Sequence, residues 1–505
     1  PYRHSTEVAE PGYYRELLNT YKIEAELTAT TRVGVHRYRF PATDSARILL
    51  DLVYGIYNYP DKNVWSFVRV ENDTLITGYR QTNGWGRTRT VYFAMTFSRP
   101  IRGYGWQNES KKQVYRGFWR KWNQEQNFPE MAGTQLRGWF GFDMATPGDV
   151  VVKVGISPVS TANALQNLCE EVPHNNFDRV RQDAREQWLI QLSAINIEAD
   201  DEVKQNFYTA LYHTLINPTV YSDRDSQYRG LDQNIHTTKT ANYTTFSLWD
   251  TYRALHPLFN IVCPERNGAM VQSMLHHYDQ SVHHMLPIWS HYANENWCMI
   301  GYHAASVVAD AVVKGTGGFD AQHALDACVA TARHRSFEGL GYYMDLGYVP
   351  EDKSGASVSK TLEYAYDDWA IAQMARKLNR MDIYNEFARR AGNYRHVFDS
   401  STGFMRPRLS NGAFRTPFNT LNTDEPGFIE GNSWNYSLYV PHEPEKMIAL
   451  MGGNKRFTQH LDSLFTMQLP DSFFAHTEDV TREGIIGNYV HGNEPSHHVA
   501  YLYNH

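Results

Sequence analysis

The sequence predicts a multidomain α and β protein, an antiparallel β-sandwich followed by a helical bundle or toroid. Three observations carry that prediction. Apolar residues alternate at period two up to about residue 158, and they recur at helical spacing beyond about residue 200. A polar, charged stretch separates the two regimes.

The strand signal comes in short runs. Ile48/Leu50/Leu52, Val91/Phe93/Met95/Phe97 and Val150/Val152/Val154/Ile156 each place apolar side chains on one face. Turn pairs separate them (Asn72-Asp73, Asn83-Gly84, Pro147-Gly148), which favours a sandwich over a βαβ fold. Residues 1–168 are therefore expected to form the β-sandwich domain. Residues 169–200, around Arg185, Trp188 and Leu192, read as a helical linker. In residues 201–505, Val203/Phe207/Leu211, Met270/Met274/Leu275/Tyr278, Tyr384/Phe387/Ala391/Tyr394 and Phe457/Leu461/Leu464/Phe465 follow helical spacing, so the region reads as helical throughout. Asp320 and Asn454 are expected to cap helix starts, and Gly315 and Gly403 to end or turn segments.

Composition narrows the function. At 505 residues and 58.3 kDa the chain exceeds what one core usually supports. A net charge of −7 without a basic block argues against a nucleic-acid partner or an anionic membrane surface. No apolar run approaches the roughly 18 residues of a membrane span. The four cysteines form no CxxC pair, so no zinc ribbon is indicated, and the His pairs are adjacent rather than at i,i+4. GxSxG, HExxH, P-loop and strand-linked GxGxxG motifs do not occur. Aromatic residues make up 14% of the chain, and Tyr and Trp offer sugars an apolar platform with a hydrogen-bonding tip.

The chemistry-bearing residues lie on loops of mixed aromatic and acidic character. Glu494 sits between Asn493 and Pro495 ahead of His497 and His498, on a turn at an expected helix start. It is the candidate catalytic acid, against the plainer reading of a carboxylate favourable to the helix dipole. Trp249, Asp250 and Arg253 form a second group, with Asp250 and Arg253 at i,i+3 expected to share a helix face as cleft residues or as an ordinary ion pair. Asp367 and Asp368 are adjacent carboxylates on an otherwise apolar helix, one of them expected to face a polar cavity. Glu430, Asn432 and Trp434 read as a ligand-facing loop, and residues 289–297 read as a similar stretch. Cleaving a glycosidic bond needs a protonated carboxyl at the leaving oxygen and a second carboxylate, and Glu494 fits the first role. Asn and Asp are plentiful in these loops, which leaves a hard cation on oxygen ligands open with no ligand set marked by spacing.

Four motifs bear a family likeness: residues 247–257 (Ser-Leu-Trp-Asp-Thr-Tyr-Arg-Ala-Leu-His-Pro), 298–304 (Cys-Met-Ile-Gly-Tyr-His-Ala), 357–369 (Ser-Val-Ser-Lys-Thr-Leu-Glu-Tyr-Ala-Tyr-Asp-Asp-Trp) and 491–498 (His-Gly-Asn-Glu-Pro-Ser-His-His). Together with residues 29–41 they resemble glycoside hydrolase family 92, over nearly the whole chain. The resemblance implies a β-sandwich packed on an (α/α)6 barrel and an exo-acting, calcium-dependent α-mannosidase that inverts the anomeric centre. It implies Glu494 as general acid, and Trp249, Asp250, Arg253, Asp367, Asp368, Glu430, Asn432, Trp434, His497 and His498 are the residues expected to line the substrate site. It also implies Ca2+ at the sugar, a mannose-bearing glycan (N-glycan or mannan) as substrate, and a periplasmic or secreted location. The family's general base lies on a Met-Ser-Ala-Trp motif that does not occur in this sequence. The chain is therefore expected to be a fragment lacking both ends, its helical domain incomplete and its base elsewhere. A catalytically inactive glycan-binding protein and a different (α/α) barrel glycosidase are the alternatives.

Overall fold

The computed structural model describes residues 2–57, 59–109, 127–423, 427–470 and 484–505. They group into two compact units, Pro1–Thr245 with Ser290–Asn296, and Phe246–Trp289 with Trp297–His505.

The first unit is built on twelve strands: β1 (Val8–Glu10), β2 (Tyr13–Leu18), β3 (Ile23–Ala29), β4 (Val33–Phe40), β5 (Arg47–Asp51), β6 (Asn63–Val70), β7 (Leu75–Thr82), β8 (Arg89–Phe97), β9 (Gly103–Asn108), β10 (Glu130–Gly133), β11 (Leu136–Gly141) and β12 (Gly148–Ser157). Nine of them form one antiparallel sheet in the order β1-β2-β3-β4-β12-β8-β7-β6-β10, and β5-β11-β9 form a second. The predicted alternation is why they pack. Val150 and Val152 of β12 join Val68, Ile76, Phe93, Met95 and Phe97 against Ile48, Leu136 and Phe140 of the smaller sheet. Val151, between them, faces the other way.

That other face is covered by helices α1 (Thr161–Glu171) and α2 (Phe177–Leu192), whose Leu168, Phe177 and Val180, with Val172 just after α1, pack with Val33, Val35 and Val151. Each helix starts on a side-chain cap, Ser160 accepting from the Asn163 amide and Asn176 from that of Arg179. Gly155 lets β12 approach α1 closely, since a Cβ there would stand 2.3 Å from the Ala164 carbonyl. Helix α3 (Asp201–Thr214), capped by Asp200, is the last α-helix among the described residues of this unit.

The expectation of helix throughout residues 201–505 is corrected by several short strand pairs. Thr219–Val220 pairs with Tyr243–Thr244, and Gln227–Arg229 pairs with Ile235–Thr237. This stretch is rich in Thr, Tyr and Asn and turns through Asp232 and Gln233, a composition that suits hairpins better than helices.

The second unit is helical: α4 (Leu248–Thr251), α5 (Leu255–Val262), α6 (Pro264–Gln280), α7 (Ala304–Lys314), α8 (Ala321–Ala332), α9 (Leu340–Leu346), α10 (Ser357–Lys377), α11 (Met381–Arg390), α12 (Ser433–Tyr436), α13 (Pro444–Leu450) and α14 (Asn454–Thr466). Asp320 caps α8, accepting from the amides of Gln322 and His323, and Gly315 and Gly403 take the left-handed conformation foreseen for them. Asn454 does not cap α14. It is the first helical residue, and Gly453 holds the cap position with no side chain to offer. The helix expected from His497 is instead two 3-10 segments, Glu494–Ser496 and Val499–Asn504, closed by i+3 bonds such as Tyr501 N–H to the His498 carbonyl.

Helix α10 is the centre of this unit and packs on α7, α8 and α11. It is buried on nearly every side, apart from its C-terminal Arg376 and Lys377, so it has no continuous polar face. Three carboxylates, Glu363, Asp367 and Asp368, are buried with it.

Candidate active site

Asp250 and Glu494 meet within hydrogen-bond range. Asp250 lies on the single turn α4, and Ser247 donates its hydroxyl to the Asp250 carboxylate instead of capping the helix. Glu494 opens the 3-10 turn behind Asn493, whose side-chain amide donates to the Glu430 carbonyl. Glu430 is itself left-handed, so the loop before α12 is bent to meet this turn. Burial of its carboxyl and the Glu494 carboxyl push Asp250 up to about 6, although the residue as a whole is exposed and solvent screens much of this effect.

Arg253 does not pair with Asp250 on a shared helix face, because α4 ends at Thr251. Its Nε donates to the Trp249 carbonyl at 3.0 Å, and its Nη2 stands 3.5 Å from Glu363 Oε1. The guanidinium lies over the rings of Trp249 (4.6 Å), Tyr252 (4.7 Å) and Tyr439 (5.3 Å). Trp249 is buried, and among the described residues its indole N–H has no hydrogen-bond partner.

Below this group lies α10. Glu363 Oε2 stands 3.3 Å from His303 Nε2, and His303 Nδ1 stands 2.9 Å from Asp367 Oδ1. The His303 ring stacks on Tyr252 at 4.2 Å, and burial drives its imidazole down to about 4. Asp367 also accepts from the Tyr302 amide at 2.8 Å. Burial raises both Glu363 and Asp367 above the usual carboxylate range. Asp368 faces another way, accepting from Arg390 Nε at 2.9 Å and from the hydroxyls of Tyr302 and Tyr343 at 2.7 and 2.8 Å. Burial pushes it up to about 6, with Arg390 opposing. Asp367 and Asp368 are thus fully buried, each holding protein groups.

The Glu430 to Trp434 segment is held mostly by its own bonds. Asn432 caps α12, accepting from the amides of Trp434 and Asn435 while the Asn435 side chain accepts from its own amide. Trp434 stacks on His460 at 4.4 Å. His498 donates Nε2–H to the Leu438 carbonyl at 2.8 Å, and burial takes it down to about 4. His497 is exposed, 5.3 Å from His491. In the 289–297 stretch, Tyr292, Ala293 and Trp297 have left-handed backbones.

The residues that sequence reasoning missed are Ser247, Tyr252, His303, Glu363 and Tyr439. Glu363 had a readable signal, since it stands four residues before Asp367 on a helix with no polar face. Tyr439 had none, because its hydroxyl meets that of Tyr252 across 187 residues of sequence.

The chain matches the description of the glycosyl hydrolase family 92 N-terminal domain over residues 1–157 and that of the family's catalytic domain over residues 163–505. It belongs to glycosyl hydrolase family 92. The family 92 α-mannosidase BT3965 from Bacteroides thetaiotaomicron is 43% identical and superposes with a TM-score of 0.92, over 100% of this chain and 66% of that one. The family 92 inverting mannosidase BT2199 from Bacteroides thetaiotaomicron VPI-5482 is 30% identical, with a TM-score of 0.87 over 100% of this chain and 68% of that one. An uncharacterized secreted glycosidase of Arthroderma benhamiae is 25% identical, over 98% of this chain and 63% of that protein. This family 92 chain thus spans just under two thirds of the length of BT3965 and of the fungal relative. No helix among its described residues is long and apolar enough to cross a membrane.

A calcium ion is what the family likeness implies. Among the described residues no group of three or more His, Cys, Asp and Glu side chains converges as a cation cage. The neighbouring carboxyls Asp250 and Glu494 act on each other, and Asp250 also accepts from Ser247. These side chains do not fit a calcium site on their own.

Proposed function

We propose that the protein is an inverting exo-α-mannosidase in which Glu494 is the general acid, releasing terminal α-linked mannose from N-glycan or mannan chains. The observation that carries this reading is the carboxyl pair. Two neighbouring carboxyls cannot both ionise without penalty, and Asp250 shows that penalty, its carboxyl pushed up to about 6 by burial and by Glu494 beside it. Protonation of the glycosidic oxygen is the step this arrangement supports.

The pair also says what Asp250 does not do. Acid and base of an inverting glycosidase stand about 6.5–9.5 Å apart to admit a water, and a retaining pair about 5–5.5 Å. Asp250 lies close enough to Glu494 to raise its own carboxyl, which makes it a poor candidate for a base across the sugar. We assign it to holding the proton and to receiving a sugar hydroxyl, with Trp249 as the adjoining apolar wall and His497 at the exposed rim. The base is placed outside these 505 residues. Calcium, if the whole protein uses it, is assigned to backbone and amide oxygens or to residues beyond this chain. Action outside the cytoplasm is proposed from the secreted fungal relative.

Glu494→Gln tests the reading in the full-length protein. It keeps the side chain's shape and removes the proton. Turnover of α-mannosides with sugar leaving groups should fall by about 10²–10⁴, the usual range for acid catalysis. Dinitrophenyl α-mannoside, which needs little acid help, should fall far less. Equal loss on both substrates, or no loss, would sink the assignment.

A further inference from the structure

We propose that the buried chain Asp367, His303, Glu363 and Arg253 is a positioning device that holds the Trp249–Asp250 turn against Glu494. The proposal rests on the reading of Glu494 as the acid.

Helix α4 lacks the means to hold itself in place. It is one turn long, and Ser247 spends its hydroxyl on Asp250 rather than on the helix start. Four residues cannot hold a fixed orientation by their own backbone bonds. Arg253 supplies the missing constraint, since its Nε–H reaches back to the Trp249 carbonyl at 3.0 Å and its guanidinium is packed over three aromatic rings. Arg253 is held in turn by Glu363, Glu363 faces His303, and His303 contacts Asp367.

These groups are also deeply buried. Glu363 and Asp367 are fully buried at i,i+4 on α10, and the side chains of His303 and Arg253 are nearly so. Buried ionic groups commonly stabilise a fold no better than apolar residues of the same volume. What the chain does provide is direction. It runs from α10, the most enclosed helix of the unit, to the carbonyl next to Asp250. Tyr252 ties the middle, stacking on His303 and placing its hydroxyl 3.4 Å from Glu363. A planar, multiply bonded guanidinium at the end of such a chain fixes an angle as well as a distance.

The test uses Glu363→Gln and Arg253→Lys in the full-length protein. Its first readout is the pH midpoint at which Asp250 is labelled by a water-soluble carbodiimide, located by mass spectrometry. Asp250 is accessible to reagent, and the titratable groups acting on it are Glu494, Arg253, His303 and His497. If the chain holds the turn against Glu494, both variants release it. The midpoint then falls from near 6 towards the ordinary aspartate range. The second readout is kinetic: kcat on mannobioside should drop at least about 50-fold, against less than about 5-fold on dinitrophenyl α-mannoside. A merely structural role lowers both rates together and leaves the midpoint where it was, and an unmoved midpoint overturns the proposal. If wild type turns over neither substrate while the midpoint still shifts, the mannosidase reading fails and the positioning device stands.

Discussion

Asp250 has a folded-state carboxyl that resists ionisation, and this makes a stability prediction separate from catalysis. Its proton affinity is raised to about 6 from an ordinary 3.8, by burial and by the neighbouring Glu494 carboxyl. The folded state therefore binds a proton more tightly than the unfolded chain. The benefit is complete below about pH 4 and is lost as pH rises through 6. Asp250→Asn removes this dependence while keeping the shape. The variant should melt above wild type at pH 7–8, by roughly 1–2 °C once discounted for solvent screening. The gap should close below pH 4. Melting curves across pH 3–8 check this, and a pH-independent difference would show that the two carboxyls do not share a proton in solution.

At the scale of elements, α10 concentrates the consequences. Asp368 accepts from Arg390, Tyr302 and Tyr343, all buried, so it is the counter-charge for an arginine that cannot reach water. Asp368→Ala leaves that buried arginine only its longer, 3.7 Å contact with Glu386, at a cost of about 3–5 kcal/mol. Asp368→Asn keeps some of the hydrogen bonds and should cost less, about 1–3 kcal/mol. Urea unfolding midpoints separate the two, and a loss below about 1 kcal/mol in both would mean that Arg390 finds another partner. The same helix shows where sequence reading stopped. Strands such as β8 and β12 and helices such as α11 were legible because each buries one face, which stamps its period on the sequence. Helix α10 buries nearly every face, so its apolar residues do not mark its carboxylates as inward or outward. Asp367 and Asp368 were noticed as unusual, but their partners His303 and Arg390 come from other elements, and no spacing rule reaches across the fold. Asn432 carries a structural role as well, capping α12. Its Asn-Ser-Trp-Asn run carries a capping-box pattern, and the neighbouring Trp drew attention to ligand binding.

For the whole molecule, the decisive quantity is the distance between acid and base. Glu494 was found from its turn and its motif, and the structure added that Asp250 lies close enough to it to raise its own carboxyl, a poor candidate to activate a water on the far side of a sugar. If the base lies outside these residues, the 505-residue chain has the means to bind a mannoside and protonate its aglycone, but lacks the group that deprotonates water. General-base assistance is worth about 10²–10⁴ in rate. A small anion that needs no deprotonation should replace it. Given dinitrophenyl α-mannoside and azide, this chain should form β-mannosyl azide, because azide enters the space left for water on the face opposite the leaving group. A version extended to the full length of BT3965 should hydrolyse the same substrate to β-mannose with little response to azide. NMR of the first-formed product distinguishes the anomers before they equilibrate. The α-azide would contradict inversion. Fast azide-independent hydrolysis by the 505-residue chain would place the base within it, and would make a carboxylate other than Asp250 the residue to seek.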